Sequence, residues 1–244
     1  MSVEDIKPYP ESPDSKTEQI RNAFDAIAGR YDRMNRIMSF GVDINWRRQA
    51  LRWLAERQPR TILDVATGTG DFALLAAEML PDARITGLDL STEMLSVAEG
   101  KVRGRGLENR IKLMAGDILH PPAFQEKFDA ATIAFGVRNF ESLQQGLKAT
   151  QGLLRPGGVV LVLEQARPCR FPVRQLHGLY LRRGIPLAGR LIAGLPAEYR
   201  YLQHSVAEVP QGVEMEQILT AAGFRDPQTR YYTFGSCACY LAER

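Results

Sequence analysis

A chain of 244 residues with 45% hydrophobic residues is long enough to bury a substantial core, as one large domain or as a domain with appendages. Its net charge of only +3 argues against a broad nucleic-acid footprint and leaves room only for a local basic patch. No run reaches the roughly 18 apolar residues of a membrane span, and an N-terminus with Glu4, Asp5 and several prolines does not resemble a signal peptide, so a cytosolic protein is expected.

Residues 1–17, rich in Pro, Ser and charge, read as a mobile leader. Ile20, Phe24 and Ile27 recur at helical spacing and predict a helix from Thr17 to about Gly29. Arg30 to Gly41 mixes aromatic, Met, charged and amide residues too closely for a clean core face. With a further helix from about Asp43 to Arg57, carrying Trp46, Leu51, Trp53 and Leu54, residues 18–57 are expected to form a helical lid.

The α/β core, residues 58–164, turns on Thr61 to Asp71. A short apolar run enters a glycine-spaced turn, and the Ala- and Leu-rich segment from Phe72 to Leu80 favours helix. Gly68 and Gly70 let a ligand approach the backbone, and the helix start offers free N–H groups. The loop fits the dinucleotide pattern, with Asp89 where a ribose-binding acid belongs. A pyrophosphate here would face Asp64 and Asp71, whereas S-adenosylmethionine has no phosphate and carries an ammonium and a sulfonium that carboxylates stabilise. That cofactor is therefore expected. The βα rhythm continues with strands Ala83 to Leu88, Ile111 to Ala115, Phe128 to Phe135 and Val159 to Glu164. Ser91 caps one intervening helix, Phe140 to Leu154 forms another, and Arg155-Pro156-Gly157-Gly158 makes a sharp stop. Such alternation builds a parallel sheet with helices on both faces and ligands beyond the carboxyl ends of the strands. Asp89 is expected on the ribose, Asp117 with Ile118 on the adenine, and Ala134 against the methionine portion.

Residues 165–203 read as a basic, apolar helical insertion: Gln165 to Ala197 holds six arginines and no Asp or Glu, a composition suited to an anionic membrane surface or to an apolar substrate. Residues 204–244 are expected to give a helix near Gln211 to Ala222 and a hairpin, Gln228 to Phe234 and Ser236 to Leu241, completing seven strands. Cys169, Cys237 and Cys239 offer neither a disulfide framework nor metal-ligand spacing and read as ordinary thiols, with 237 and 239 on one strand face.

Several segments together resemble one group: Arg30-Tyr31-Asp32-Arg33-Met34-Asn35 with Met38 to Gly41, the loop Leu63 to Asp71, Phe135-Gly136-Val137-Arg138-Asn139, Leu154 to Gly158 with Leu163-Glu164, and Tyr199 to Leu202. The chain resembles the class I S-adenosylmethionine-dependent methyltransferases, and within them the demethylmenaquinone and polyprenyl-benzoquinol C-methyltransferase family. The resemblance implies a Rossmann-like, seven-stranded, mostly parallel sheet; the basic stretch and the lack of a span add the expectation of a cytoplasmic enzyme at the inner face of a membrane, with a homodimer left open. It implies methylation of a polyprenylated quinol, demethylmenaquinol first and a 2-methoxy-6-polyprenyl-benzoquinol as the alternative. Cofactor contacts are implied on Thr69, Asp89, Asp117, Ile118 and Ala134, the last being Ser in many relatives. Asp64, Gly68, Gly70 and Leu90 join the expected cofactor set. Attack by a ring carbon requires a phenolate-like ring. Arg138 is expected to stabilise that charge, Asn139 to orient the oxygen and Tyr31 to close over the ring, with Asp32 or a water as base and no metal. Weighed against this stand a dinucleotide oxidoreductase, disfavoured by the carboxylates around the loop, and a methyltransferase for an exocyclic amine of nucleic acid or protein, disfavoured by Ala134-Phe135-Gly136 after strand four. A non-catalytic cofactor-binding subunit could dispense with Arg138.

Overall fold

A computed structural model describes residues 2–179, 183 and 196–244; most of the basic stretch 180–195 lies outside the described residues. Seven strands form one sheet in the order β3-β2-β1-β4-β5-β7-β6. They are Thr61–Val65 (β1), Arg84–Asp89 (β2), Ile111–Ala115 (β3), Phe128–Ala134 (β4), Leu154–Gln165 (β5), Arg225–Tyr232 (β6) and Cys237–Glu243 (β7). The first five run parallel, and β7 inserts antiparallel between β5 and β6. The expected hairpin therefore joins the sheet through its second strand. Strand order reverses between β1 and β4, and a crevice opens beyond their carboxyl ends.

Central strands buried on both faces are mostly apolar, as helical cover on two sides requires, with Asp64, Thr132 and Glu164 as buried polar exceptions. On one face Ile62, Leu161, Leu163, Cys237 and Cys239 pack against Val42–Ala55 (α3) and Asp71–Met79 (α4). On the other, Leu63, Val160, Val162, Ala238 and Tyr240 pack against Leu143–Leu153 (α6) and the helix Val213–Ala221. Cys237 and Cys239 thus share a face, as alternation predicts. Thr92–Gly104 (α5) is capped by Ser91, whose Oγ accepts from the Met94 N–H at 3.0 Å. Helix α6 starts later than expected, because Ser142 caps it and Val137–Asn139 forms a separate tight turn.

The first helices depart from expectation at the leader. Lys16–Ile27 (α1) begins with Ser15 and Glu18 in a reciprocal capping box. The stretch before it is not a loose leader: Val3 and Ile6 are buried, and the Lys16 ammonium, also buried, donates to the Val3 and Arg138 carbonyls at 2.7 and 3.1 Å. Two apolar anchors and an internal cation bind this stretch to the core, which its polar composition did not suggest. Tyr31–Ser39 (α2) follows a tight turn. After β5, short helices span Val173–Leu179 and Pro196–Glu208.

Candidate active site

The turn after β1 is held from below. Asp64, buried at the end of β1, accepts from the Thr67 and Thr132 hydroxyls at 2.6 Å each. Burial pushes its carboxyl up to about 6, against the pull of those hydroxyls. Gly68 and Gly70 take positive φ, and at Gly70 a side chain would also press on Ala98.

A cavity opens above this turn. It is lined by Ala66 and Gly68, by Asp89, Leu90 and Ser91 after β2, by Asp117 and Ile118 after β3, and by Ala134 to Gly136 after β4. Thr17, Ile20, Arg21 and Phe24 of α1, with Tyr31 of α2, complete the wall. Asp89 is aimed by the backbone: its two oxygens accept from the Gly68 and Ser91 N–H groups at 2.7 and 2.9 Å. Burial raises its pKa in spite of these bonds. Each oxygen keeps a lone pair that can accept from a ribose hydroxyl. Asp117 spends one oxygen on the Leu119 N–H at 2.9 Å, which leaves the other for an amino group, and Leu90 and Ile118 supply apolar contact for a ring. This donor and acceptor set fits an adenosine.

Of the expected cofactor residues, Gly68, Asp89, Leu90, Asp117, Ile118 and Ala134 line this cavity, while Asp64, Thr69 and Gly70 do not. Thr69 is buried and donates to Asp32 at 2.5 Å. The charge argument from Asp64 and Asp71 also needs correction. Asp64 lies under the turn, and Asp71 is paired with Lys101 at 2.7 Å and Arg36 at 2.6 Å. Burial works against the Asp71 charge, but Lys101, Arg47 and Arg36 hold it below its ordinary range. Asp32, weighed as a base, lines neither cavity and pairs with Lys101. Its contacts tie α2 to α5 and to the turn.

A second cavity, of about 290 Å³, adjoins the first, and the two share Phe24, Tyr31 and Phe135 as a common wall. Its lining is mainly apolar, with Ile27, Met34, Met38, Val42 and Trp46 prominent, and it reaches Thr233 and Ser236 of the β6–β7 hairpin. Asn35, Asp43, Arg47, Arg138 and Gln165 are among its polar lining residues. Arg138 enters from the turn after β4, its Nη1 donating to Glu164 at 2.6 Å and to the Phe135 carbonyl at 2.8 Å. Its Nε and the Glu164 Oε2 are buried without hydrogen-bond partners among the described residues. Burial works against the guanidinium charge, but Glu164, Tyr31 and Tyr201 hold its pKa above the ordinary value. The Tyr201 hydroxyl donates to Asn139 at 2.9 Å, and burial pushes its pKa up. Arg138 and Tyr31 therefore meet at the second cavity, while Asn139 lines the first and is linked to the second by Tyr201. Sequence reasoning assigned no role to Tyr201, Glu164 or Arg47. Tyr201 lay within a quoted motif, and the spacing of Asp43 and Arg47 by four on one helix was a signal left unread.

A family profile described as the ubiE/COQ5 methyltransferase family matches residues 12–244. A demethylmenaquinone methyltransferase of Bacteroides fragilis is 40% identical over 241 residues, covering 99% of this chain and 98% of that protein. A ubiquinone/menaquinone biosynthesis C-methyltransferase UbiE of Geobacter sulfurreducens is 38% identical over 230 residues, 94% and 90% of the two chains. Among solved structures, an S-adenosylmethionine-dependent methyltransferase of Thermotoga maritima superposes with a TM-score of 0.63 at 16% identity, over 92% of this chain and 99% of that one, which shows the common fold.

Proposed function

The chain belongs to the ubiE/COQ5 methyltransferase family and is an S-adenosylmethionine-dependent methyltransferase; from that premise we propose that it methylates a ring carbon of a polyprenylated quinol, converting demethylmenaquinol to menaquinol. The observation that carries this reading is the pair of adjoining cavities, one fitted to adenosine and the other apolar, meeting at Phe24, Tyr31 and Phe135. A non-catalytic cofactor-binding subunit would have no use for the second cavity.

S-adenosylmethionine supplies an electrophilic methyl group. The rest of the chemistry falls to the chain. Asp89 holds the ribose through charge-assisted bonds, and Asp117 with Ile118 positions the adenine. The apolar cavity binds the ring and the start of its tail and excludes water, so that charge on the ring is felt strongly by nearby donors. Arg138, in the wall of that cavity, favours the phenolate form that pushes electron density into the ring. Tyr31, in the shared wall, keeps the ring facing the methyl donor.

Incubating the purified protein with S-adenosylmethionine and chemically reduced demethylmenaquinone is expected to yield a product one methyl group heavier by mass spectrometry. A parallel incubation with a 2-methoxy-6-polyprenyl-benzoquinol reads the alternative ring. No methylation of either ring would overturn the reading. Asp89→Ala is expected to weaken cofactor binding by about 1.5–3 kcal/mol in calorimetry.

The same reading locates the enzyme on the cytoplasmic side of an anionic membrane, from which a prenylated substrate is drawn. Among the described residues no helix is long and apolar enough to cross a membrane. Support comes from the six arginines of 165–197 and from Phe40 and Phe234, 81% and 83% exposed, which stand beside lining residues of the apolar cavity or among them. Flotation with anionic liposomes is expected to recover the protein at low salt and lose it at high salt, each arginine contributing on the order of 1 kcal/mol. Flotation indifferent to lipid charge and ionic strength would remove this part.

A further inference from the structure

The apolar cavity is lined by a second arginine whose ion pair is with a carboxylate shared with another arginine. Arg47 projects from α3, is 7% exposed, and lies over the Phe135 ring at 5.1 Å from its centroid. Its closest carboxylate is Asp43, one turn earlier on the same helix, at 3.5 Å from Nε. Asp43 is already occupied: one oxygen accepts from Ser39 at 2.6 Å, and the other is paired at closer range with Arg36. The carboxylates next nearest in charge are also spent, Asp64 on two threonine hydroxyls and Asp71 on Lys101 and Arg36. Cys237, which also feels Arg47, is a buried thiol whose pKa burial drives well up, so it offers no countercharge. The Arg47 Nε is buried against Asp43 without a hydrogen bond among the described residues, and the terminal nitrogens belong to a residue that lines the cavity.

The two terminal nitrogens of Arg47 make no hydrogen bond among the described residues and are not fully buried, so they are the donors that a ligand in the cavity can reach. We infer that Arg47 binds an oxygen of the acceptor ring, the oxygen not held at Arg138, so that the two hydroxyls of a hydroquinone are each met by a guanidinium. This rests on the proposed quinol substrate and deepens it. Arg138 comes from the turn after β4 and is paired with Glu164. Arg47 comes from α3 and keeps more of its charge for the ligand. A ring with hydroxyls on opposite edges is matched by two such donors on different elements, whereas a monophenol would leave one of them unsatisfied. Arg47 thereby selects dihydroxy rings and adds its charge to that of Arg138 in favouring the phenolate.

The test is a cycle between protein and ligand. Wild type, Arg47→Met and Arg47→Lys are each titrated, in the presence of S-adenosylmethionine, with a naphthohydroquinone kept reduced and with the matching mononaphthol. The wild-type protein is expected to prefer the dihydroxy ring roughly tenfold or more, Arg47→Met to bind the two rings about equally, and Arg47→Lys to fall between them. Unchanged S-adenosylmethionine affinity certifies the fold of each variant, and if the Met variant fails that check the comparison is read from Arg47→Lys. With demethylated quinol as substrate, kcat/KM of the Met variant is expected to drop at neutral pH and to recover towards wild type as pH rises and the phenol ionises in solution. A Met variant that keeps the wild-type preference, or whose pH profile runs parallel to wild type, overturns the role of Arg47. A wild-type protein that methylates no quinol overturns instead the reading on which the inference rests.

Discussion

At the scale of single residues, ionisable groups beneath the active site are set by burial more than by partners. Asp64 is the clearest case, because two threonine hydroxyls do not offset its removal from water. Its folded pKa of about 6 lies above the 3.8 of an exposed aspartate, so the folded state binds the extra proton. The sign follows: stability falls as pH rises from about 4 to about 6. Asp64→Asn keeps the size and most of the bonding while removing the charge. Unfolding of this variant by denaturant is expected to overtake wild type in stability over that window, by at most roughly 3 kcal/mol, with the gap flat above it. Parallel pH curves for the two proteins would show that Asp64 does not titrate there. The sequence marks Asp64 as one more acid near the loop. Only the placement of Thr67 and Thr132 around it shows that it belongs to the scaffold.

At the scale of elements, the N-terminal stretch and α1 are the least expected part of the fold. Gln19 accepts from the Tyr9 N–H at 2.9 Å and donates to the Asp14 carbonyl at 3.0 Å, so α1 gathers the preceding chain around itself. Lys16 extends this to the turn that carries Arg138. Its burial lowers its pKa to about 8, with Glu4 the main group pulling the other way. A lysine whose folded pKa lies below 10.5 gives stability that increases as pH rises between those values. Lys16→Met is expected to lose that rise and to destabilise by about 1–3 kcal/mol, because two carbonyls lose their donor. Hydrogen exchange in residues 2–15 is expected to accelerate; unchanged protection would show that the buried apolar anchors suffice. The βα rhythm, the Ser91 cap and the shared face of Cys237 and Cys239 were legible, since each depends on local periodicity. Lys16 and the Arg138–Glu164 pair were not, because their partners lie 122 and 26 residues away in the chain and no local pattern encodes such meetings.

At the scale of the whole molecule, the sheet and the helices before it divide the labour. Strand ends β1 to β4 supply the backbone donors and carboxylates of the adenosine-shaped cavity, while α1, α2, α3 and the β6–β7 hairpin supply the apolar one. Only the first half of this was readable from motifs, because an apolar cavity is defined by what several elements fail to fill, and no spacing in the sequence records that. The shared wall has a kinetic consequence. Phe24 and Tyr31 stand between two ligands and belong to helices that also cover the first cavity, so the spent methyl donor leaves either past α1 or through the space the acceptor must vacate. If the second route is used, ordered traffic is expected, with the acceptor entering last, its methylated product leaving first, and departure of the spent donor limiting turnover. Turnover under saturating substrates is expected to slow in proportion as sucrose thickens the medium, whereas a rate untouched by viscosity would place the bottleneck at methyl transfer itself.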